Sequence, residues 1–129
     1  MSKLKNISTN KAPSAIGAYS QGIRAGNFIF ISGQIPLDPS TMEIVSDDFT
    51  RQVEQVLVNL KAVANEASCS LDDIVKITVY LKNLEDFQSV NNAMNKMFTE
   101  PYPARAAVEV SRLPKDVLVE MDAIIYLGD

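Results

Sequence analysis

Apolar residues recur at steps of three and four along two segments of the chain, the spacing of one face of an α-helix. The first segment begins after Asp47 and Asp48, either of which can cap the first turn with its carboxylate. Its apolar residues are Phe49, Val53, Val56, Leu57, Leu60, Val63, Ala64 and Ala67. The second segment begins after Asn83, which can cap its first turn, and Asp86 lies in the capping-box position three residues further on. Its apolar stripe is Phe87, Val90, Met94, Met97 and Phe98. The spacing predicts two amphipathic helices.

Runs of β-forming residues, most of them alternating, predict three β regions around these helices. Residues 20–32 form two β-rich runs around Gly26-Asn27, a pair suited to a tight hairpin turn. Residues 36–44 carry prolines and polar turn formers and predict an exposed loop. Residues 75–81 predict a strand with Val75, Ile77, Val79 and Leu81 on its core face. Residues 105–110 and 117–126 predict a second hairpin. This order of elements predicts an α+β fold.

Length and composition predict a folded protein with one core. A chain of 129 residues with 47% apolar and 22% charged residues has enough material to bury that core, so we expect one domain over residues 1–129. The N-terminus is polar, and no apolar run approaches the roughly 20 residues needed to cross a bilayer. We therefore expect a cytoplasmic protein without a membrane partner.

Charge and missing residue types exclude several classes of function. Twelve Lys and Arg against sixteen Asp and Glu give a net charge of -4, the wrong sign for binding nucleic acid or anionic lipid. Cys69 is the only cysteine, which excludes an intramolecular disulfide. The chain has no histidine, which removes the commonest general base and metal ligand. Acid and base steps must use carboxylates, Lys, Tyr, the thiol, water or the backbone.

The last predicted strand has two different faces. One face is entirely apolar and consists of Val117, Val119, Met121, Ala123 and Ile125. The opposite face is apolar at both ends with two carboxylates between, and consists of Leu118, Glu120, Asp122, Ile124 and Tyr126. The first pattern predicts a core face. The second suits a subunit interface that contains a polar pocket.

Arg105 and Glu120 are the leading candidates for a site. One simple register of the second hairpin sets Val110 opposite Val117 and Arg105 opposite Asp122, so that Arg105 and Glu120 share a face. Diagonal neighbours of this kind lie roughly 7 to 8 Å apart, enough for a small ligand. Arg105 is a candidate for binding a carboxylate through two parallel hydrogen bonds. Alternatively, its side chain is exposed to solvent or forms an ion pair with Asp122. Glu120 is a candidate base, or else a structural salt-bridge residue.

Further candidates come from three places in the chain. Asn91 lies four residues after Phe87 on the inner side of the second helix. Its amide either faces a ligand or forms hydrogen bonds to other groups in the core. Ser32 and Gly33 end a strand, where glycine either lets the backbone approach a ligand or makes an ordinary turn. Tyr19 precedes the first hairpin. Its side chain either belongs to the site or has an ordinary role in packing or in an interface.

Three stretches of the chain carry a family resemblance: I-G-A-Y-S-Q-G, I-S-G-Q-I-P and P-A-R-A-A-V-E-V-S-R-L-P-K-D-V-L-V-E-M. Together they resemble the RidA family of reactive imine and enamine deaminases. The likeness spans nearly the whole chain, and the last stretch is its most specific part. It implies a chorismate-mutase-like α+β domain, a mixed β-sheet with two helices on one face. It also implies a homotrimer with sites in the clefts between subunits. A member of this family is expected to need neither a metal nor an organic cofactor.

The resemblance also implies a reaction, the hydrolysis of 2-imino and 2-enamino acids such as 2-aminoacrylate to 2-keto acids and ammonia. In the family, the equivalent of Arg105 holds the substrate carboxylate, and the equivalent of Glu120 helps activate water. The positions that match cleft-lining residues of relatives are Tyr19, Ser32, Gly33 and Asn91. Many relatives carry cysteine where this chain has Ala107, so a thiol role is absent here while the backbone groups remain.

Two other classes of function compete with hydrolysis. A non-catalytic sensor could bind a small carboxylate in the same inter-subunit pocket, but it would not need a carboxylate beside Arg105, so Glu120 favours the enzyme. A ribonuclease, as some relatives have been labelled, is disfavoured by the negative charge and the missing histidines. Imine hydrolysis suits a site without histidine, because the imine carbon is already electrophilic and needs chiefly orientation and a proton acceptor.

Overall fold

A computed structural model describes residues 3–128 as one mixed β-sheet with helices on one face. The strands are β1 (Leu4–Ile7), β2 (Gly22–Ala25), β3 (Phe28–Gln34), β4 (Ile74–Leu81), β5 (Ala104–Glu109) and β6 (Val119–Tyr126). The α-helices are α1 (Phe49–Glu66) and α2 (Phe87–Met97). The sheet order is β1-β2-β3-β6-β4-β5, and the predicted α+β architecture is confirmed. Within residues 3–128, no helix is long and apolar enough to cross a membrane.

Helix α1 begins and packs as its sequence predicts. The Asp48 carboxylate accepts a hydrogen bond from the Arg51 amide at 3.0 Å and caps the first turn. Six side chains of its apolar face are fully buried against the sheet, namely Val53, Val56, Leu57, Leu60, Val63 and Ala64. Each of the larger ones contributes about 1.5–3 kcal/mol through its burial. The helix ends where Ser68 adopts a φ of 61°, and the Cys69 amide donates to the Ala64 carbonyl.

Helix α2 starts differently from its prediction. Asn83 caps a short 3₁₀ turn, Leu84–Asp86, by accepting from the Glu85 amide at 2.9 Å. Asp86 lies inside that turn and makes no capping box, so this part of the prediction is wrong. The apolar stripe is confirmed as the packing face: Val90 and Met94 are buried, and Phe87 lies half-buried at the start of the helix.

The first hairpin is confirmed. Strands β2 and β3 pair antiparallel with Ala25 opposite Phe28, and Gly26 adopts the φ of 61° that the turn requires. Strand β6 lies between β3 and β4, both antiparallel to it. Its predicted core face is also confirmed, because the residues of this face from Val117 to Ile125 are at most 2% exposed. The core therefore lies between β6 and α1.

The predicted second hairpin is wrong. Strand β5 pairs in parallel with β4, and β4 separates it from β6. The reason is that α2 connects β4 to β5 as a crossover and returns the chain in the same direction along the sheet edge. Arg105 consequently lies opposite Ile77, whereas Asp122 lies opposite Thr78. The assumed register of Val110 against Val117 does not occur.

Two smaller predictions also need correction. Val75 is 42% exposed, because an irregularity in the pairing of β4 with β6 between Ile74 and Lys76 turns it away from the core. The loop of residues 36–44 is less exposed than predicted, since Leu37 is buried and bridges to Ile44.

Asn59 anchors that loop to α1. Its side chain is fully buried, and Nδ2 donates to the carbonyls of Ile35 and Leu37, each at 3.1 Å. Its Oδ1 accepts from Gln55 Nε2 at 2.8 Å. A buried amide with all of these partners fixes the path of the chain directly after β3.

We expect Asn59→Ala to lower the free energy of unfolding by about 1–3 kcal/mol, because two carbonyls lose their donor in a buried place. Urea unfolding at one fixed protein concentration measures this. Asn65→Ala, at an exposed position of the same helix, is the matched control and should change stability by less than about 0.5 kcal/mol. Equal effects of the two substitutions would contradict the anchoring role.

Candidate functional site

Arg105 lies on the edge strand β5, and its head group is held by α2. Its Nη1 donates to Asn91 Oδ1 at 2.6 Å and contacts the Met94 sulfur at 3.6 Å. Its guanidinium carbon lies 4.6 Å from the centre of the Phe87 ring, a cation–π geometry. The helix therefore fixes both the position and the plane of the guanidinium.

One edge of this guanidinium keeps its donors for a ligand. Among residues 3–128, no side chain or carbonyl accepts a hydrogen bond from Nε or Nη2 of Arg105. These two groups form the edge that binds a carboxylate through two parallel hydrogen bonds. All three protein partners of the head group are uncharged, so its positive charge is not cancelled by an ion pair. The arrangement suits a small carboxylate, and the suggested ion pair with Asp122 is wrong.

Two cavities meet at Arg105. The first holds about 280 Å³ and presents polar groups from Asn91, Asn95 and Tyr102. The second holds about 430 Å³ and is lined by Leu84, Phe87 and Ala107. Both cavities have mixed linings, with more polar surface in the first and slightly more apolar surface in the second.

Glu120 lies on β6 and points to the face of the sheet opposite the helices, since its neighbours Val119 and Met121 are fully buried in the core. It lies beside Tyr80 of β4 and against Gly33 of β3. A Cβ at Gly33 would overlap the Glu120 carboxylate, so the missing side chain provides the space that the carboxylate occupies. This explains why glycine stands at this position.

The surroundings of Glu120 favour its protonated form. Burial raises the pKa of Glu120 above its ordinary value, and the negative charge of Asp122 raises it further. Asp122 itself accepts a hydrogen bond from the Tyr80 hydroxyl at 2.9 Å. A carboxylate with increased proton affinity is a better base toward water than an exposed one.

Tyr19 and Ser32 lie around the end of β3, where Gly33 contacts Glu120. Tyr19 and Gly33 line a cavity of about 170 Å³ to which Lys115 also contributes. Ser32 donates its hydroxyl to the Ser20 carbonyl at 2.6 Å, within the irregular end of β3. Its hydroxyl therefore fixes the backbone of the strand end instead of pointing to a ligand.

The site residues form two clusters on opposite faces of the sheet. The Arg105 cluster consists of Arg105, Asn91, Phe87 and Ala107, and the Glu120 cluster consists of Glu120, Gly33, Ser32 and Tyr19. The prediction that Arg105 and Glu120 share a face within one chain is wrong. The cause is the pairing of β5 with β4, which sets Arg105 beside Ile77 on the core side.

Sequence reasoning missed three residues of these clusters and cavities. Phe87 was predicted only as part of the apolar stripe, although its spacing of four from Asn91 places both on one side of α2. Leu84 was not singled out because a 3₁₀ turn precedes α2. Lys115 lies in the L-P-K-D connection with a φ of 55°, which no spacing rule indicates.

No group of three or more carboxylate, thiol or imidazole side chains within residues 3–128 could hold a metal ion. Cys69 follows the end of α1, and burial together with Asp73 raises the pKa of its thiol. The thiol is thereby disfavoured as a thiolate nucleophile.

Comparison with known proteins shows the family of this chain. The model of the family described as endoribonuclease L-PSP matches residues 9–127. The 2-iminobutanoate/2-iminopropanoate deaminase of Escherichia coli K12 is 49% identical over 123 residues, which cover 93% of this chain and 95% of that protein.

Solved structures share the fold over almost the whole chain. RidA from the Antarctic bacterium Psychrobacter sp. superposes with a TM-score of 0.91 at 48% identity, covering 95% of this chain and 98% of that one. Escherichia coli TdcF with bound serine superposes with a TM-score of 0.89 at 42% identity, covering 96% and 99%. The chain therefore belongs to the RidA family, which the matching family model describes as endoribonuclease L-PSP.

Proposed function

We propose that this protein hydrolyses 2-imino and 2-enamino acids, such as 2-aminoacrylate, to 2-keto acids and ammonia. The observation that carries the proposal is the Arg105 guanidinium, whose Nε–Nη2 edge is presented for a carboxylate by neutral partners. The deaminase name of the Escherichia coli relative supports the reaction. The serine bound to TdcF, a small molecule with an amino group next to its carboxylate, supports the ligand class.

The active site in this proposal is made by two copies of the chain. Arg105 and Glu120 lie on opposite faces of one sheet, and a small substrate cannot contact both in a single chain. A second copy can bring its Glu120 cluster to the Arg105 cluster of the first. Head-to-tail contacts of this kind close into a ring, so we propose a homotrimer with one site in each cleft.

The open face of the sheet suits the subunit contact. Large apolar side chains there remain between 41% and 48% exposed in the single chain, namely Phe28, Phe30, Val108 and Tyr126. A contiguous apolar face of this kind is typical of a protein interface. Glu120 and Asp122 lie in its middle, as the sequence pattern indicated.

Substrate binding begins at Arg105. The substrate carboxylate accepts two hydrogen bonds from Nε and Nη2, which fixes the orientation of the imine carbon. Asn91 and Phe87 act as positioning residues, because they hold Nη1 and the guanidinium plane without neutralising the charge. The anionic substrate therefore meets an undiminished positive charge.

Hydrolysis then needs water and a base. Glu120 of the second copy accepts a proton from water while the water oxygen bonds to the imine carbon. That proton passes to the substrate nitrogen and gives a carbinolamine. The Glu120 carboxylate then carries the proton of the new hydroxyl group to the same nitrogen, the carbon–nitrogen bond breaks, and ammonia leaves as the carbonyl forms. Water and imine are consumed and keto acid and ammonia are produced, with no change of oxidation state.

We expect Arg105→Ala to lower kcat/KM for 2-aminoacrylate by at least about 150-fold, because two charge-assisted bonds of about 1.5–3 kcal/mol each are lost. Arg105→Lys should recover little, since an ammonium cannot reproduce both parallel bonds. Release of keto acid above the uncatalysed background measures the rate. Arg51→Ala, at an exposed arginine of α1, is the control. Wild-type rates from a folded Arg105→Ala protein would refute the assignment.

A mixing experiment tests the two-copy site. Arg105→Ala and Glu120→Gln chains should each be nearly inactive alone, whereas trimers reassembled from equal amounts should regain about one quarter of the wild-type activity. The fraction follows because a cleft is intact only where an unaltered Arg105 meets an unaltered Glu120 of the next copy. Recovery would not occur if each chain held a complete site.

Binding of 2-keto acids without turnover by the wild type would instead support the sensor.

We also expect Glu120→Gln to raise the melting temperature at pH 7. Because the fold raises the pKa of Glu120, the folded state binds this proton more tightly than the unfolded chain. The resulting stabilisation is complete below the ordinary value of 4.5 and is lost as the pH rises through the raised pKa. The melting temperatures of the wild type and of Glu120→Gln, measured from pH 4 to pH 8, should therefore coincide at the acidic end of this range and diverge as the pH rises. Glu54→Gln, at an exposed glutamate, should show no such divergence.

A further inference from the structure

We propose that Tyr80 and Asp122 are positioning residues for Glu120, and that the hydrogen bond between them keeps the two neighbouring carboxylates from sharing one proton. The inference rests on the proposed function, in which Glu120 is the base, and it names the residues that act on that base. Both residues act through the Glu120 carboxylate and not on the substrate itself.

Three polar side chains lie together in the middle of the open face of the sheet. Tyr80 of β4 lies directly opposite Glu120 of β6, and Asp122 is two residues further along β6 on the same face. The Tyr80 hydroxyl reaches diagonally across the pair of strands and donates to Asp122 Oδ2 at 2.9 Å. The phenol therefore starts beside Glu120 and ends on Asp122.

Two carboxylates at this spacing compete for one proton. The Cα atoms of Glu120 and Asp122 are separated by two strand residues, a distance of roughly 7 Å. Burial is the first cause of the raised pKa of Glu120, and the negative charge of Asp122 is the second. Both side chains are partly buried, so salt screens their repulsion less than it screens exposed charges. In a pair of this kind, a proton without a further constraint is distributed over both groups.

The Tyr80 hydroxyl decides which carboxylate stays ionised, because a hydrogen bond to a charged carboxylate favours the charged form. Among residues 3–128, Tyr80 is the only side chain that donates to Asp122, and no side chain donates to Glu120. The same bond raises the pKa of Tyr80, so the phenol keeps its proton and remains a donor. The proton that the pair takes up therefore goes to Glu120, the group that carries it during hydrolysis.

Other charged or titratable groups around Glu120 do not distinguish the two carboxylates. Strand β3 contributes none at its contact, since Gly33 stands there. The groups on the other neighbouring elements are Lys76 and Lys82 of β4, Tyr19 before β2, Lys115 after β5 and, in the proposed trimer, Arg105 of another copy. All of them are the same in the wild type and in variants of Tyr80 and Asp122. Differences between these proteins therefore report the pair alone.

Two substitutions should shift the titration of Glu120 in opposite directions. Asp122→Asn removes a negative charge, so the midpoint should fall by at least about 0.4 pH unit, the interaction of unit charges about 7 Å apart at the dielectric constant of water. Tyr80→Phe keeps the ring and the Asp122 charge but removes the donor. The state with both carboxylates ionised then becomes less favourable, and the midpoint should rise. The double variant should match Asp122→Asn, because Tyr80 acts through Asp122.

NMR with carboxyl-labelled glutamate in the intact protein measures these midpoints, and Glu120→Gln identifies the Glu120 signal. Tyr126→Phe is the matched control, because it removes a phenol hydroxyl from the same face at the end of β6 and should leave the midpoint unchanged. The pH profile of kcat/KM for 2-aminoacrylate is measured in parallel. The ratio of kcat/KM between Asp122→Asn and the wild type should be at least about 2.5-fold higher on the acid limb than on the plateau, which corresponds to that 0.4 unit.

The two measurements separate this inference from the proposed function. A Glu120 midpoint that stays unmoved in Tyr80→Phe, or falls as in Asp122→Asn, would overturn the inference, whereas turnover by the wild type would leave the deaminase function standing. Opposite NMR shifts without release of keto acid above background would support the pair and refute the deaminase function. Opposite shifts that the acid limb does not follow would support the pair and refute Glu120 as the base. Tyr80→Phe decides the sign by itself if Asp122→Asn does not fold.

Discussion

The parallel pairing of β5 with β4 is the constraint on which the rest of the site depends. It fixes Arg105 opposite Ile77 and so turns the guanidinium toward α2, while the antiparallel β6 turns Glu120 to the other face. A single fold thus carries a cation and a base that cannot meet within one chain. The separation of the two side chains follows from this pairing together with strand parity, because every second residue of a strand faces the same side.

Helix α2 serves both this topology and the chemistry. As the crossover between β4 and β5, it must pack on the sheet next to the edge strand, and it therefore lies directly beside Arg105. The same packing gives it buried anchors at Val90 and Met94, which hold the helix while Asn91 and Phe87 contact the guanidinium. The positioning of the cation is thus supported by the core and not by a mobile loop.

Much of this arrangement could be predicted from the sequence, because periodicity reports which face of an element is buried. It identified α1 with its Asp48 cap, the first hairpin and the core face of β6. Periodicity does not report which strands are neighbours, and for that reason β5 was paired with the wrong strand. The motifs identified Arg105 and Glu120 as candidates, but the contact of Phe87 with the guanidinium is made across two elements, and no local pattern encodes it.

In the proposed function, the neutral partners of Arg105 are what allow a protein of net charge -4 to bind an anionic substrate. Overall charge acts over distances at which salt screens it, whereas contact with one guanidinium acts at hydrogen-bond range. A carboxylate beside Arg105 would compete with the substrate for the same donors. Glu109 of the same strand instead accepts a hydrogen bond from the Leu84 amide, and Asp122 lies on the opposite face of the sheet. Among residues 3–128, Arg105 therefore has no carboxylate partner, although the molecule as a whole is acidic.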